Sequence, residues 1–494
     1  MILAHVTVAR NTKNAEVDKP MPGTIKNYSV SLLVLISQAF LMFANGVAAP
    51  ADTSAFSYVM GTEYFAQSNI PQPAQWESYV DPNTGISIRR ITDIHKDYPQ
   101  MPAQYGATID YPRKSRSSSD GRYVLVYTAG TGSNRYKIVD LQAQTIRDAP
   151  HISTSIYDRN GGQDAQPEYR WDYTGEHPNR IYYRYGWEFY YGEVDYPDGQ
   201  ANSPTYNVLI HNFRKDTATL GKSAASIQNV YNDTEGDSDA ESRYWCWQVR
   251  LSDGERRWVI VYDKSTDKII GKLENNNESI NFTDMAPDGS KAFVSYNYID
   301  TKAFDLDMTN PINICANSSH SGWAFSPDGI AEFVQINNCG GDYIRFKSIL
   351  TGQTNYLPFH QCYFANTSNG YLWNRCSTPE YLGHHIARVY PNIRGWAIFS
   401  IYDEANNYWG SNQIIAVELK NAADNPRIWR IASTQNFRGV NPPGPGGSTA
   451  PEIALSKDGT KIYFGSNWRG TDNFEVYEAT LPDNWWLHLQ QQMK

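Results

Sequence analysis

Positive charge is in deficit in this sequence of 494 residues: 43 Lys and Arg stand against 52 Asp and Glu, a net charge of −9. Nonspecific binding of nucleic acid needs a basic footprint, so that role is excluded. A local group such as Arg113, Lys114 and Arg116 can still hold an anion against the acidic total. Cysteine is sparse and odd in number: Cys246, Cys315, Cys339, Cys362 and Cys376. An odd set leaves one thiol over, and five in so long a chain do not make a disulfide scaffold. Four of them lie between residues 315 and 376, where one or two bridges are expected, with a thiolate metal ligand as the alternative. Charged residues make up only 19%, and helical signals are scarce. LPDNWWLHLQQQMK, at the C-terminus, is expected to end in a short helix packed on the outside.

Long apolar runs are also few. One stands out, NYSVSLLVLISQAFLMFANGVAAPA after Lys26, with an apolar core from Val30 to Phe43 and small residues from Ala44 to Ala51. A basic start, a short apolar stretch and an A-x-A-like end describe a secretory signal. Ala49-Pro50-Ala51 sets the expected cut before Asp52, with Val47-Ala48-Ala49 as the alternative. At ~14 strongly apolar residues the run is short for a spanning helix, so export is favoured over a membrane anchor. The expected location is therefore secreted or periplasmic, with no integral membrane span in the mature chain. Residues 1–51 are read as an N-terminal extension plus signal peptide, and Met21 is a candidate start.

What is abundant is aromatic and turn-forming: 35 Tyr, 14 Trp, 35 Gly and 26 Pro. Such residues suit half-buried pleated surfaces cut short by frequent turns, which predicts an all-β chain. One unit recurs. SSSDGRYVLVY, MAPDGSKAFVSY, FSPDGIAEFVQI and LSKDGTKIYFGS share Asp-Gly, one or two polar residues, then alternating apolar and aromatic residues. Asp-Gly supplies the φ > 0 geometry of a tight hairpin turn. Looser copies are WDYTGEHPNRIYYRYG, SDAESRYWCWQVR and YPNIRGWAIFSIYD. The seven begin near residues 118, 172, 238, 286, 326, 391 and 456, about 40 to 66 residues apart. That spacing fits a four-stranded blade and predicts a seven-bladed β-propeller over residues 52–494, a single domain. Closing the ring buries the apolar faces that an open array exposes at its ends, and an outer strand from Ser54 to about Ile94 is expected to complete the last blade. A sandwich with chance turns would not repeat one order seven times.

In a propeller the segments preceding the innermost strands converge on one mouth of the central channel. The polar residues there are Arg113, Lys114 and Arg116, then Gln163, Asp164, Gln166, Glu168 and Tyr169. Later blades give Glu235 and Asp237, Asn281, His320, His384 and His385, and Glu452. Three of the chain's ten histidines fall in this position, on two consecutive blades. Imidazoles with a carboxylate around a channel could hold a divalent metal, or provide a base beside a positive clamp. The plainer reading is polar side chains lining a wet channel and bonding to backbone.

GQDAQPEYRWDYTGEHPNRIYYRYG, EGDSDAESRYWCW, HSGWAFSPDG, GHHIARVYPNIRGWAIFS and PEIALSKDGTKIYFGSNW resemble consecutive blades of secreted seven-bladed propeller polysaccharide lyases, the ulvan and oligogalacturonate lyases, over roughly residues 90 to 480. The resemblance implies β-elimination on a uronate-containing polysaccharide, sulfated (ulvan-like) or plain. The proton removed lies α to a carboxylate and is scarcely acidic. An Arg or a metal must first neutralise that carboxylate. A His or Tyr then takes the proton, and a Tyr or His protonates the departing oxygen. Carried over by motif, the His320 and Trp323 of HSGW resemble the histidine that acts as base. GHHI resembles a metal-binding segment, giving His384 or His385, with zinc, calcium or manganese as the ion and no organic cofactor. Pro451 is followed by Glu452 where the family often has Pro-His, and carboxylate is the harder ligand. Cys376 is a further ligand or half of a disulfide. Tyr169 and Arg184 form the Tyr and Arg pair expected to meet substrate, with Tyr244 beside Arg243 in reserve; Arg113, Arg116 and Arg243 are candidate substrate cations. The two early histidines of the ulvan enzymes have no counterpart in YPRKSRSSSDG, and His151 and His177 lie in a loop and a strand connection.

Two rivals stay open. A nonenzymatic TolB-like propeller would bind a glycan or envelope protein through exposed Tyr and Trp. A glycoside hydrolase needs two facing carboxylates ~5 to 10 Å apart, for which Asp164, Glu168, Asp237 and Glu452 are available. A prolyl oligopeptidase-type peptidase is excluded, because no G-x-S-x-G elbow is present. The expected partner is an anionic polysaccharide, met by a monomer.

Overall fold

The computed structural model describes residues 56–63, 68–102, 106–128, 136–149, 169–194, 207–232, 235–296, 300–315, 320–336, 343–360, 383–402, 409–436, 451–470 and 474–491. They form seven antiparallel sheets, six of four strands and one of five. This is the seven-bladed β-propeller expected from the repeats. The first strand of each blade lines the channel. These strands are Ala107–Thr108, Arg170–Trp171, Ile227–Tyr231, Ile280–Met285, Gly322–Phe325, Gly383–Ile386 and Ile453–Leu455.

The Asp-Gly copies form the turns between first and second strands. Gly121, Gly289, Gly329 and Gly459 all have φ between 71° and 83°, where a Cβ is strained. In the first of these turns Asp120 accepts from Ser118 Oγ at 2.6 Å and from the Arg122 amide at 3.0 Å. The last turn repeats the arrangement with Asp458, Ser456 and Thr460. The loose copy in blade three lacks the glycine, and Ser242 takes φ 49° instead. Asp239 accepts from the Arg243 and Tyr244 amides, both at 2.7 Å, and holds that turn.

Ring closure uses the N-terminal segment. Ser87–Arg90 pairs with Glu475–Thr480, and Ser78–Val80 adds a fifth strand outside it. Farther upstream, the Arg430 amide donates to Val59 O at 2.8 Å and the Gly61 amide to Ile428 O at 2.9 Å. The segment therefore straps the outer strand of blade six before completing blade seven. Aromatic side chains fill the wedges between blades. Trp323, Trp396, Trp429, Trp468 and Trp485 belong to one large apolar cluster, and Tyr123, Tyr169, Tyr173, Tyr183 and Tyr190 to another. A C-terminal helix, Trp485–Gln491, packs at the turn face, where Trp485 Nε1 donates to Gly459 O at 3.0 Å. Among the described residues no helix is long and apolar enough to cross a membrane. The proposed signal segment, residues 30–51, lies outside the described residues.

Candidate functional site at the channel mouth

Blade one departs from its repeats. Ala107–Thr108 pairs with Tyr127 and Thr128, and a second contact joins Ser117 to Val124. Residues 109–116, between the two, leave the sheet and cross the channel. The Arg388 amide of blade six donates to Pro112 O at 3.1 Å.

Below this excursion the channel is filled by a buried polar network. Arg388 Nη1 lies 3.3 Å from Asp284 Oδ1, and Trp323 Nε1 donates to Asp284 Oδ2 at 2.8 Å. The Asp237 amide donates to Asp284 Oδ1 at 2.8 Å. Asp237 in turn accepts from Tyr173 Oη at 2.9 Å and the Ser115 amide at 3.1 Å, beside Arg170 at 3.4 Å. Lys457 of blade seven donates to Tyr173 O from the turn side. Groups from all seven blades thus meet on one axis. Burial pushes the Asp284 carboxyl above its ordinary value, with Arg388 and Arg113 acting against that rise.

Above the network, six blades contribute to one cluster. The His320 amide donates to Tyr111 Oη at 3.0 Å. Its ring stacks on His385 with centroids 4.8 Å apart and planes 10° from parallel. Tyr111 meets His385 edge-on at 6.0 Å. His385 Nδ1 lies 3.1 Å from Glu452 Oε2. Arg113 lies over Phe282, 3.5 Å from the ring centroid, and donates to Ser321 Oγ and Glu235 Oε2. Tyr111, Glu235, His320 and Glu452 are part-exposed, whereas Arg113 and His385 are buried beneath them. His320 has φ 56°, a sparsely populated backbone region for a residue with a Cβ. Such outliers cost of order 1 kcal/mol or more and gather at functional sites.

The electrostatics separate the groups. Burial raises the Tyr111 phenol, and the Glu235 charge adds to it, so the hydroxyl keeps its proton. Burial likewise holds the Glu452 carboxyl well above the usual range, reinforced by Asp110 and Glu235. Asp110 behaves oppositely: burial pushes it up, but Arg116 and Lys114 outweigh that and hold it low. Asp110 Oδ2 accepts from Lys114 Nζ at 2.9 Å, from Tyr136 Oη at 2.8 Å and from Arg116 Nη2.

Not every sequence candidate joins this cluster. His320, His385, Glu452 and Arg113 are brought together, while Arg116 is committed to Asp110. Tyr169 packs in the tyrosine cluster against Tyr136 and Tyr183, at 5.4 and 5.5 Å. Arg184 lies on the second strand of blade two and donates to Asn229 at 3.1 Å. Arg243 and Tyr244 open the second strand of blade three, at the turn face opposite His320, and Arg243 grips Asp263 at 3.0 and 2.9 Å. Cys376 and the His384 side chain lie outside the described residues. Cys246, the free cysteine among them, is buried. Tyr111 was missed by the sequence reading, although it precedes Arg113 by two residues; its signal was the Tyr-Pro that opens YPRKSR.

No group of three His, Cys, Asp or Glu side chains among the described residues is placed to hold a metal ion. Of the expected ligands, His385 and Glu452 lie 3.1 Å apart among the described residues, whereas the His384 side chain and Cys376 lie outside them.

No family model matches the sequence, and no curated protein matches it. Solved structures do match. An oligogalacturonate lyase in complex with manganese has TM-score 0.52 and 14% identity, over 84% of this chain and 98% of that one. The likeness is one of fold. An oligogalacturonate lyase from Vibrio parahaemolyticus has TM-score 0.49 and 11% identity over 82% of this chain and 96% of that one. Hydrazine synthase from Kuenenia stuttgartiensis follows at 0.41 and 10%, over 74% and 95%.

Proposed function

We propose that the protein is an exported polysaccharide lyase that cleaves uronate-containing chains, plain or sulfated, by β-elimination. The observation carrying this reading is the meeting of Arg113, Tyr111, His320 and His385 at one mouth, from segments more than 200 residues apart. Arg113 is the carboxylate clamp: a guanidinium fixed on Phe282 and Ser321 offers planar, charge-assisted hydrogen bonds without reorganising. His320 is the base that takes the proton α to the carboxylate. The electron pair forms the ring double bond as the glycosidic C–O bond breaks, and Tyr111, whose hydroxyl keeps its proton, gives it to the departing oxygen. His385 holds the His320 ring by stacking from below, with Glu452 3.1 Å from His385 Nδ1. The fold likeness to an oligogalacturonate lyase supports the substrate class.

The test is an ultraviolet assay of the purified protein on polygalacturonate, ulvan, alginate and a neutral galactan, with and without chelator. A rise near ~235 nm on one or more uronate polymers and none on the galactan is expected, since elimination leaves a conjugated unsaturated uronate. No rise on any polymer, with sugar ligands still bound, would move the protein to the binding class.

A further inference from the structure

Among the described residues the three cations of the 109–116 excursion are each held by a carboxylate. Lys114 and Arg116 share Asp110, and Arg113 holds Glu235. These two arrangements differ in how accessible they are. The Arg113 side chain is fully buried, its aromatic bed and Ser321 are buried with it, and the Glu235 side chain retains 21% exposure. An anion entering from the mouth therefore meets Arg113 at the edge that Glu235 covers.

We infer that Glu235 is a resident stand-in for the substrate's carboxylate, covering the clamp until a uronate displaces it. This rests on the proposed uronate chemistry for the ligand's identity, and on geometry for the exchange. The backbone beside Glu235 cannot follow. A Cβ on Gly236 would lie 1.7 Å from Thr283 O, and Arg170 Nε donates to Gly236 O at 3.1 Å. Only the Glu235 side chain swings, and it swings into solvent. Exchange of one carboxylate for another never strips the buried guanidinium of its counter-charge, whereas a neutral sugar has no group that can replace Glu235. Glu235 thereby sets selectivity for uronates, and it lowers their affinity by competing for the same hydrogen bonds.

The inference is tested with Glu235→Gln, which keeps size and removes the charge. Titration calorimetry compares digalacturonate with digalactose on the wild type and the variant. Digalacturonate is expected to bind E235Q about tenfold more tightly or better, with digalactose unchanged. Glu235→Asp, which withdraws the carboxylate by one methylene, is expected to fall between and serves if E235Q folds poorly. Equal or weaker digalacturonate binding by both variants overturns the inference. The two readings separate cleanly: a gain in E235Q without elimination on any polymer keeps the stand-in and removes the lyase, and elimination without the gain does the reverse.

Discussion

Replacing Glu332 by glutamine is expected to remove the fall in stability that this carboxyl imposes between about pH 5 and about pH 8. Glu332 lies on the second strand of blade five, opposite Ala324 and Ser348. It is 6% exposed, and its Oε2 is buried with no hydrogen-bond partner among the described residues. Burial alone pushes its carboxyl from 4.5 up to about 8. Between those values the folded chain holds a proton that the unfolded chain has lost. This contribution is therefore complete below about 4.5 and disappears as pH rises through about 8. At 1.36 kcal/mol per pH unit the interval is worth about 5 kcal/mol in full and about 3 kcal/mol by pH 7. The glutamine amide carries its own desolvation cost, but that cost does not vary with pH. Urea unfolding from about pH 4.5 to about pH 8.5 separates the two, since only the slope of stability against pH is diagnostic. Parallel curves for wild type and E332Q would refute the argument, because they would mean that Glu332 ionises in the fold without penalty.

Other perturbations follow from the same geometry. Tyr111→Phe is expected to lower kcat by about 100-fold or more with the fold intact, because a phenol acting as proton donor contributes at least that much; an unchanged kcat in the 235 nm assay would remove Tyr111 from the reaction. Asp284→Ala strands the Arg388 guanidinium and the Trp323 indole on the axis. It should cost about 3–5 kcal/mol in urea unfolding, and a cost under 1 kcal/mol would show that the network is not cooperative. His211 sits between Asp216 and Asp267, both at 2.7 Å. Burial lowers its pKa, but the two carboxylates outweigh that and raise it. Its stabilising charge is present below the usual imidazole range and is lost as pH rises through the raised value. His211→Ala should therefore cost about 1.5–3 kcal/mol in mildly acidic buffer and less in alkaline buffer; an equal cost in both would refute the pairing.

The fold was legible because its signal is local. Asp-Gly beside alternating aromatics specifies a hairpin within a dozen residues, and Gly121, Gly289, Gly329 and Gly459 all adopt the backbone that the motif demands. The candidate site was legible where a residue lies just before or at the start of a channel-lining strand, as His320, His385 and Glu452 do. Arg243 and Tyr244 misled because they follow the turn instead of preceding the strand, a displacement of a few residues that moves a side chain to the opposite face. Arg184 lies one strand too far out. The departure of residues 109–116 from blade one had no signature in the repeat, so Tyr111 went unnoticed and Arg113 was ranked below Arg184. Nor could sequence pair Asp284 with Arg388, 104 residues away, because each looks like an ordinary surface charge until the ring closes.

The strap formed by residues 59–63 and 68–90 gives the molecule a particular order of assembly. Blade seven draws its outer two strands from the beginning of the chain and the other three from the end. A ribosome must therefore release nearly the entire chain before this sheet exists, and the early strands Ser78–Val80 and Ser87–Arg90 wait with open edges until then. A nascent chain in that condition resembles an unlocked clasp, open to capture by a chaperone, and it acquires its mouth only on completion.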